Sequence, residues 1–128
     1  MARSHALLYH KRMAKPDRLA RLDAQRADLE TDYRDTLIAA LEKTAKGSLG
    51  LFDRSTDRRV RSAIAPTIAA LTEMGDEIAA MRDRLMLDRF ALHHDFFAAR
   101  GPVSASAVGE QKEAQAWLDR LRTAEAAR

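Results

Sequence analysis

Histidine, carboxylate and arginine are the side chains in this sequence with chemistry to offer. His93 and His94 are adjacent, and on a helix neighbouring side chains point about 100° apart, so the two cannot readily share one metal ion. Asp88 and Asp95 lie near them, but no His-x-x-x-His or Glu-x-x-His spacing accompanies them. His5 and His10 fall in a basic N-terminal arm. All four read as rim or solvent histidines, and no metal is expected. Asp28, Asp32 and Asp35 line one helix face, and Asp76, Glu77 and Asp83 another, each with Arg within a turn or so. That pattern is a solvated, charge-laced surface, whereas a tuned acid–base pair needs burial.

Nucleophilic and phosphate chemistry find no support. Cys is absent, which excludes thiolates and disulfides and fits a reducing compartment. No Gly-x-Ser-x-Gly occurs. Gly47-Ser48-Leu49-Gly50 lacks the Gly-Lys-Ser/Thr ending and the preceding strand of a phosphate loop. No enzyme activity, cofactor or small-molecule substrate is therefore expected.

Arginine is more informative. Residues 1–26 hold seven Lys/Arg against two Asp, in a chain of net charge +3. One basic cluster is Arg3, Lys11, Arg12, Lys15, Arg18, Arg21 and Arg26; a second is Arg54, Arg58, Arg59 and Arg61. Such clusters can contact phosphates without base-specific geometry. Arg12, Lys15, Arg18, Arg58, Arg59 and Arg61 are the candidates if the chain binds nucleic acid. The plain alternative is a set of solvated arginines. No helix-turn-helix spacing is evident, because the connection at 47–57 exceeds a tight turn.

The elements that position these residues are helical. Ala supplies 25 of the 128 residues, and Ala, Leu, Arg and Glu dominate, all good helix formers. No segment alternates apolar and polar like a strand. Arg outnumbers Lys 17 to 5, the balance of a GC-rich bacterial genome. The pattern predicts an all-α three-helix bundle, its long helices antiparallel at about 16–46, 58–100 and 109–126, behind a basic arm at 1–15. Leu19, Leu22, Leu29, Tyr33, Leu37 and Leu41 form the face of the first helix, with Glu30–Arg34 as an i,i+4 pair on its outer side. Gly47 is its C-cap. Ala114, Trp117, Leu118 and Leu121 face inward on the last, Trp117 being the anchor.

The middle helix carries the strongest pattern. Ile64, Leu71, Ile78, Leu85 and Leu92 recur every seven residues, a continuous apolar stripe. Asp88 offers a soft break, which the unbroken spacing opposes, and Pro66 a kink if the helix starts early. Met74, Met81 and Met86 lie beside the stripe, as core or as interface. Gly75 and Ala79, one turn apart, would allow a close helix crossing. At about 55–60 Å this helix outreaches companions of about 45 and 25 Å, so part of its stripe would stay bare in a monomer, and large bare apolar stripes mark interfaces. The stripe is the expected seam of a homodimer or of a complex with another protein.

The connection holds Leu49, Leu51 and Phe52, apolar residues expected to plug one end of the bundle and to offer partner contact. The run Tyr33-Arg34-Asp35-Thr36-Leu37-Ile38-Ala39-Ala40-Leu41, followed by Gly47-Ser48-Leu49-Gly50-Leu51-Phe52, resembles a group of short uncharacterised bacterial proteins in which such a helix ends in a Gly-Leu-Phe turn. Leu92-His93 before Arg100-Gly101-Pro102, and Trp117-Leu118, are weaker echoes. The resemblance spans roughly residues 30–121 and implies element boundaries but no activity. Leu7-Leu8-Tyr9 is too short for a signal-peptide core, and no apolar run reaches membrane-spanning length. The expectation is a cytoplasmic protein-interaction module (an adaptor, regulator or chaperone-like factor), with nucleic-acid association as the alternative.

Overall fold

Helix α1, Lys15–Ala45, begins where the sequence permits a helix to begin. Pro16 sits in the first turn, where its missing N–H costs nothing, and Asp17 faces the positive end of the dipole. The helix stops at Gly47, whose φ of 81° is open to glycine at little cost and whose N–H bonds the Thr44 carbonyl at 2.9 Å. The computed structural model describes residues 15–47, 50–52, 58–100 and 107–126, without the side chains of 60, 61 and 107–109. Its other helices are α2, Arg58–Arg84, α3, Ala91–Arg100, and α4, Ala107–Ala126. The protein is all-α, and the described residues contain no strand.

The predicted helix 58–100 is two helices. Leu87 N–H reaches the Arg82 carbonyl at 2.9 Å, and Met86 N–H reaches the Asp83 carbonyl at 3.1 Å. This is the paired six-to-one and five-to-two closure that ends a helix with one left-handed residue. That residue is Met86, at φ 56°. Glycine is the usual occupant, so Met86 itself gives no sign of a stop, and the soft break offered at Asp88 is the sequence's one pointer to it. Arg82 reinforces the turn by donating from Nη1 to the Asp88 carbonyl at 2.8 Å. The seven-residue spacing from Ile78 to Leu92 runs across this break and serves two helices in succession. At 27 residues α2 is about 40 Å long, shorter than α1, so the premise of an uncovered 55–60 Å helix fails. Pro66 lies inside α2, where it has no N–H to give the Ser62 carbonyl.

The core forms where α1 meets its neighbours. Tyr33, Leu37 and Leu41 of α1, Leu71 and Ile78 of α2, Phe96 of α3, and Ala114, Leu118 and Leu121 of α4 are buried together. Each large apolar side chain so buried contributes about 1.5–3 kcal/mol. The buried Thr44 hydroxyl donates to the Ala40 carbonyl at 3.0 Å, so it leaves no unpaired donor. Helix α1 packs closely against both α2 and α4. Helix α3 is held through its rings: Phe96 meets Phe52 at 5.5 Å and Trp117 at 5.7 Å, both edge-on, the geometry ring quadrupoles favour.

Candidate functional site

Two constructions join distant parts of the chain, and both depend on the turn after α2. The first is a knot around His93. The turn brings α3 back across α2, and the His93 ring lies directly on Gly75, leaving no room for a Cβ there. His93 Nδ1 is 2.5 Å from the Tyr33 hydroxyl. Burial raises the Tyr33 pKa, so the phenol keeps its proton in this hydrogen bond, and the imidazole tautomer decides which of the two donates. Burial also lowers the His93 pKa from 6.5, with His94 acting the same way and Asp76 opposing. Phe97 lies 4.5 Å from the His93 ring, and Phe90 meets Tyr33 edge-on at 5.2 Å. A neutral, hydrogen-bonded, ring-enclosed histidine is a packing device; a general base needs a proton within its reach.

The second construction is a cleft of about 410 Å³ over α1, closed by Phe90, Leu92 and Leu121. Its floor carries Arg26, Glu30, Thr31 and Arg34 of α1. Glu30 is held on both oxygens: Arg82 Nε and Nη2 reach it at 2.6 and 2.9 Å, and Arg26 Nη1 at 2.9 Å. Burial pushes the Glu30 pKa up, but these charge-assisted bonds outweigh it and hold the carboxyl below its usual value. Arg82 also stacks over Phe90 at 5.5 Å.

Arg34 completes the floor. The sequence pairs it with Glu30, but Glu30 is taken by Arg26 and Arg82, and Arg34 Nη2 instead donates to the Leu121 carbonyl of α4 at 2.7 Å. Arg34 Nε is shut off from solvent and has no acceptor, a condition that costs about 1–3 kcal/mol for a buried donor. The cleft thus combines apolar walls, one neutralised carboxylate and a fixed guanidinium with an unmet donor.

The residues singled out from sequence are distributed differently. Ile64, Leu71 and Ile78 are buried within the single chain, while Leu85 and Leu92 are half-buried. Leu51 and Phe52 fold into the core, Phe52 against Phe96, so they do not form a surface; Leu49 lies outside the described residues. Lys15, Arg18, Arg58 and Arg59 are exposed. Arg12, Arg54 and the rest of the arm before Lys15 lie outside the described residues, as does the side chain of Arg61. Gly75 does admit a close approach, but of the His93 ring, and Ala79 is exposed. Nothing local links Gly75 to His93 or Arg34 to Leu121, because the turn at Leu85–Phe90 and the docking of α4 create both contacts.

Among the described residues no group of three or more His, Asp or Glu is placed to hold a metal ion, and no helix is long and apolar enough to cross a membrane. The first half of α1 is the remaining feature: from Lys15 to Asp28 no residue is buried, and Leu19 is 37 % exposed. No protein-family model, no curated protein and no solved structure matches this chain.

Proposed function

We propose that this chain is a protein-interaction module, an antiparallel helical bundle that pairs with a second copy of itself through the first half of α1. One observation carries the reading: about four turns of regular helix extend beyond the core with no side chain buried. A helix gets most of its stability from a packed face, and along this one Leu19 is 37 % exposed and Leu22 is only half-buried.

Charge favours a second copy as the occupant. Lys15, Arg18 and Arg21 lead, with Asp17 the exception; Asp23, Asp28 and Asp32 follow, with Arg26 the exception. Two such helices laid antiparallel about Leu22 set basic halves against acidic ones, in a self-complementary two-fold contact. Exposed Met86, at 92 %, and Leu87, at 44 %, lie in the turn that follows α2. Glu30 of α1 meets Arg82, so that end of α2 lies toward the free half of α1. The seam moves accordingly: Ile64, Leu71 and Ile78 serve the chain's own core, and Leu19 and Leu22 take the intermolecular role. The antiparallel arrangement within the chain is supported by the order of contacts, since Arg34 meets Leu121 whereas Gly47 lies against Gln111.

Sedimentation equilibrium tests this. The wild type should show a dimer mass at micromolar concentration, and Leu19→Asp or Leu22→Asp should give a monomer that still melts cooperatively. A wild type that is monomeric throughout would overturn it. Phosphate contact is the second reading, supported by the exposure of Lys15, Arg18, Arg58 and Arg59. It requires a mobility shift that falls steeply with salt, and no shift at low salt removes it.

A further inference from the structure

We infer that the cleft over α1 is a binding site for a small carboxylate carried on an apolar body, such as an aryl or short alkyl acid. The inference goes beyond self-association and does not depend on it.

The cleft has the size of a small-ligand pocket, about 410 Å³. Phe90, Leu92 and Leu121 offer an aromatic face and aliphatic edges to an apolar body. The polar floor has a definite sign. Glu30 would repel an anion if it stood alone, but Arg82 grips both its oxygens and Arg26 adds a third contact. Arg26 also bonds Asp23 at 2.9 Å, so Arg26 and Arg82 together balance Glu30 and Asp23, and the positive charge left on the floor is that of Arg34.

Arg34 supplies the recognition. Its bond to the Leu121 carbonyl fixes the plane of the guanidinium at the α1–α4 junction. Its Nε–H has no acceptor within the chain. The Nε–H and Nη2–H edge of a guanidinium matches the two oxygens of a carboxylate. Arg34 and Leu121 both line the cleft, so a bound carboxylate takes the place of the Leu121 carbonyl as acceptor for this edge and gives Nε–H the acceptor that the protein does not provide. Cations alone would hold any anion, and an apolar wall alone any hydrocarbon. Their juxtaposition selects a ligand with both parts.

The experiment titrates the full chain with 2-naphthoate, and separately with 2-naphthalenemethanol (the same body without charge) and with acetate (the charge without the body). Heteronuclear NMR of the arginine Nε–H signals reports the site, the Arg34 signal being the one missing in Arg34→Lys. The expected result is saturable binding of 2-naphthoate with a downfield shift of the Arg34 Nε–H signal, and binding at least tenfold weaker for the alcohol and for acetate. Arg34→Gln should weaken 2-naphthoate at least tenfold. Because that variant also loses the bond to α4, Ala27→Glu is the companion: Ala27 is exposed at the cleft, so a carboxylate there repels the ligand and leaves the core untouched. It too should weaken binding at least tenfold with an unchanged melting temperature. No binding at millimolar 2-naphthoate, equal binding of acid and alcohol, or unchanged affinity in a folded Ala27→Glu would each overturn the assignment.

Discussion

Replacing Gly75 by alanine should destabilise this protein, against the ordinary behaviour of helical glycine. In an exposed helix interior the change gains about 1 kcal/mol. Here an added Cβ would stand 2.5 Å from His93 Cδ2 and 2.6 Å from Cε1, and against Nε2 as well. A normal carbon contact is about 3.5–4.0 Å, so the ring must retreat by about 1 Å. It has little freedom to do so, being bonded to the Tyr33 hydroxyl on one side and packed 4.5 Å from the Phe97 ring. Overpacking of this kind costs about 1–3 kcal/mol, and losing the Tyr33 bond leaves a buried hydroxyl unpaired for about 1–3 kcal/mol more. Set against the propensity gain, the net loss is about 1–5 kcal/mol, a fall in Tm of roughly 3–25 °C for a domain of this size. Circular-dichroism melts of the wild type, Gly75→Ala, His93→Ala and the double variant measure it. With the ring removed, Gly75→Ala should stabilise, so the two substitutions must couple by more than about 1 kcal/mol. A rise in Tm for Gly75→Ala in the wild-type background, or additive behaviour in the cycle, would refute the knot.

Further outcomes follow from the same contacts. The His93 pKa is lowered in the folded state, so the unfolded chain takes the proton first and stability must fall as pH drops from about 7 through the ordinary histidine range. Urea midpoints should show this slope in the wild type and a shallower one in His93→Gln. Arg82→Ala removes the Glu30 fork, the Asp88 carbonyl contact and the Phe90 stack together; a loss of about 1.5–3 kcal/mol in chemical denaturation is expected. Leu71, fully buried in α2, should cost about 2–5 kcal/mol as Leu71→Ala, and Leu71→Asp should abolish the cooperative melt. An unchanged melting curve for Leu71→Asp would remove it from the core.

What could be read from the sequence had local causes. Pro16 and Gly47 bracket α1, and Tyr33, Leu37 and Leu41 lie a turn apart on one face, so propensity, capping and periodicity agree. Trp117 and Leu118 mark the inner face of α4 for the same reason, and both are buried. The break after α2 is only hinted at, by Asp88, because Met86 takes a left-handed conformation that sequence rules reserve for glycine or asparagine, and because Leu85 and Leu92 keep the seven-residue spacing across it. The cleft escaped for a different reason. Arg34 and Glu30 are one helical turn apart and look like partners, yet Arg82, fifty-two positions from Glu30, claims the carboxylate. Only the tertiary fold reassigns those charges, and with them the sign of the cleft floor.

Helix α1 lies against both α2 and α4, and this sets the order in which the molecule can be completed. The bonds that tie the two ends are the Arg34–Leu121 and Arg122–Glu42 contacts, between residues 87 and 80 positions apart. A chain emerging from a ribosome can form α1 and fold α2 onto it early, yet the face of α1 that takes Leu118 and Leu121 stays bare until α4 is made. Loops of that length close slowly. Completion of the core therefore waits for α4, and a premature stop before α4 leaves a chain with an open core, a substrate for chaperones or proteases.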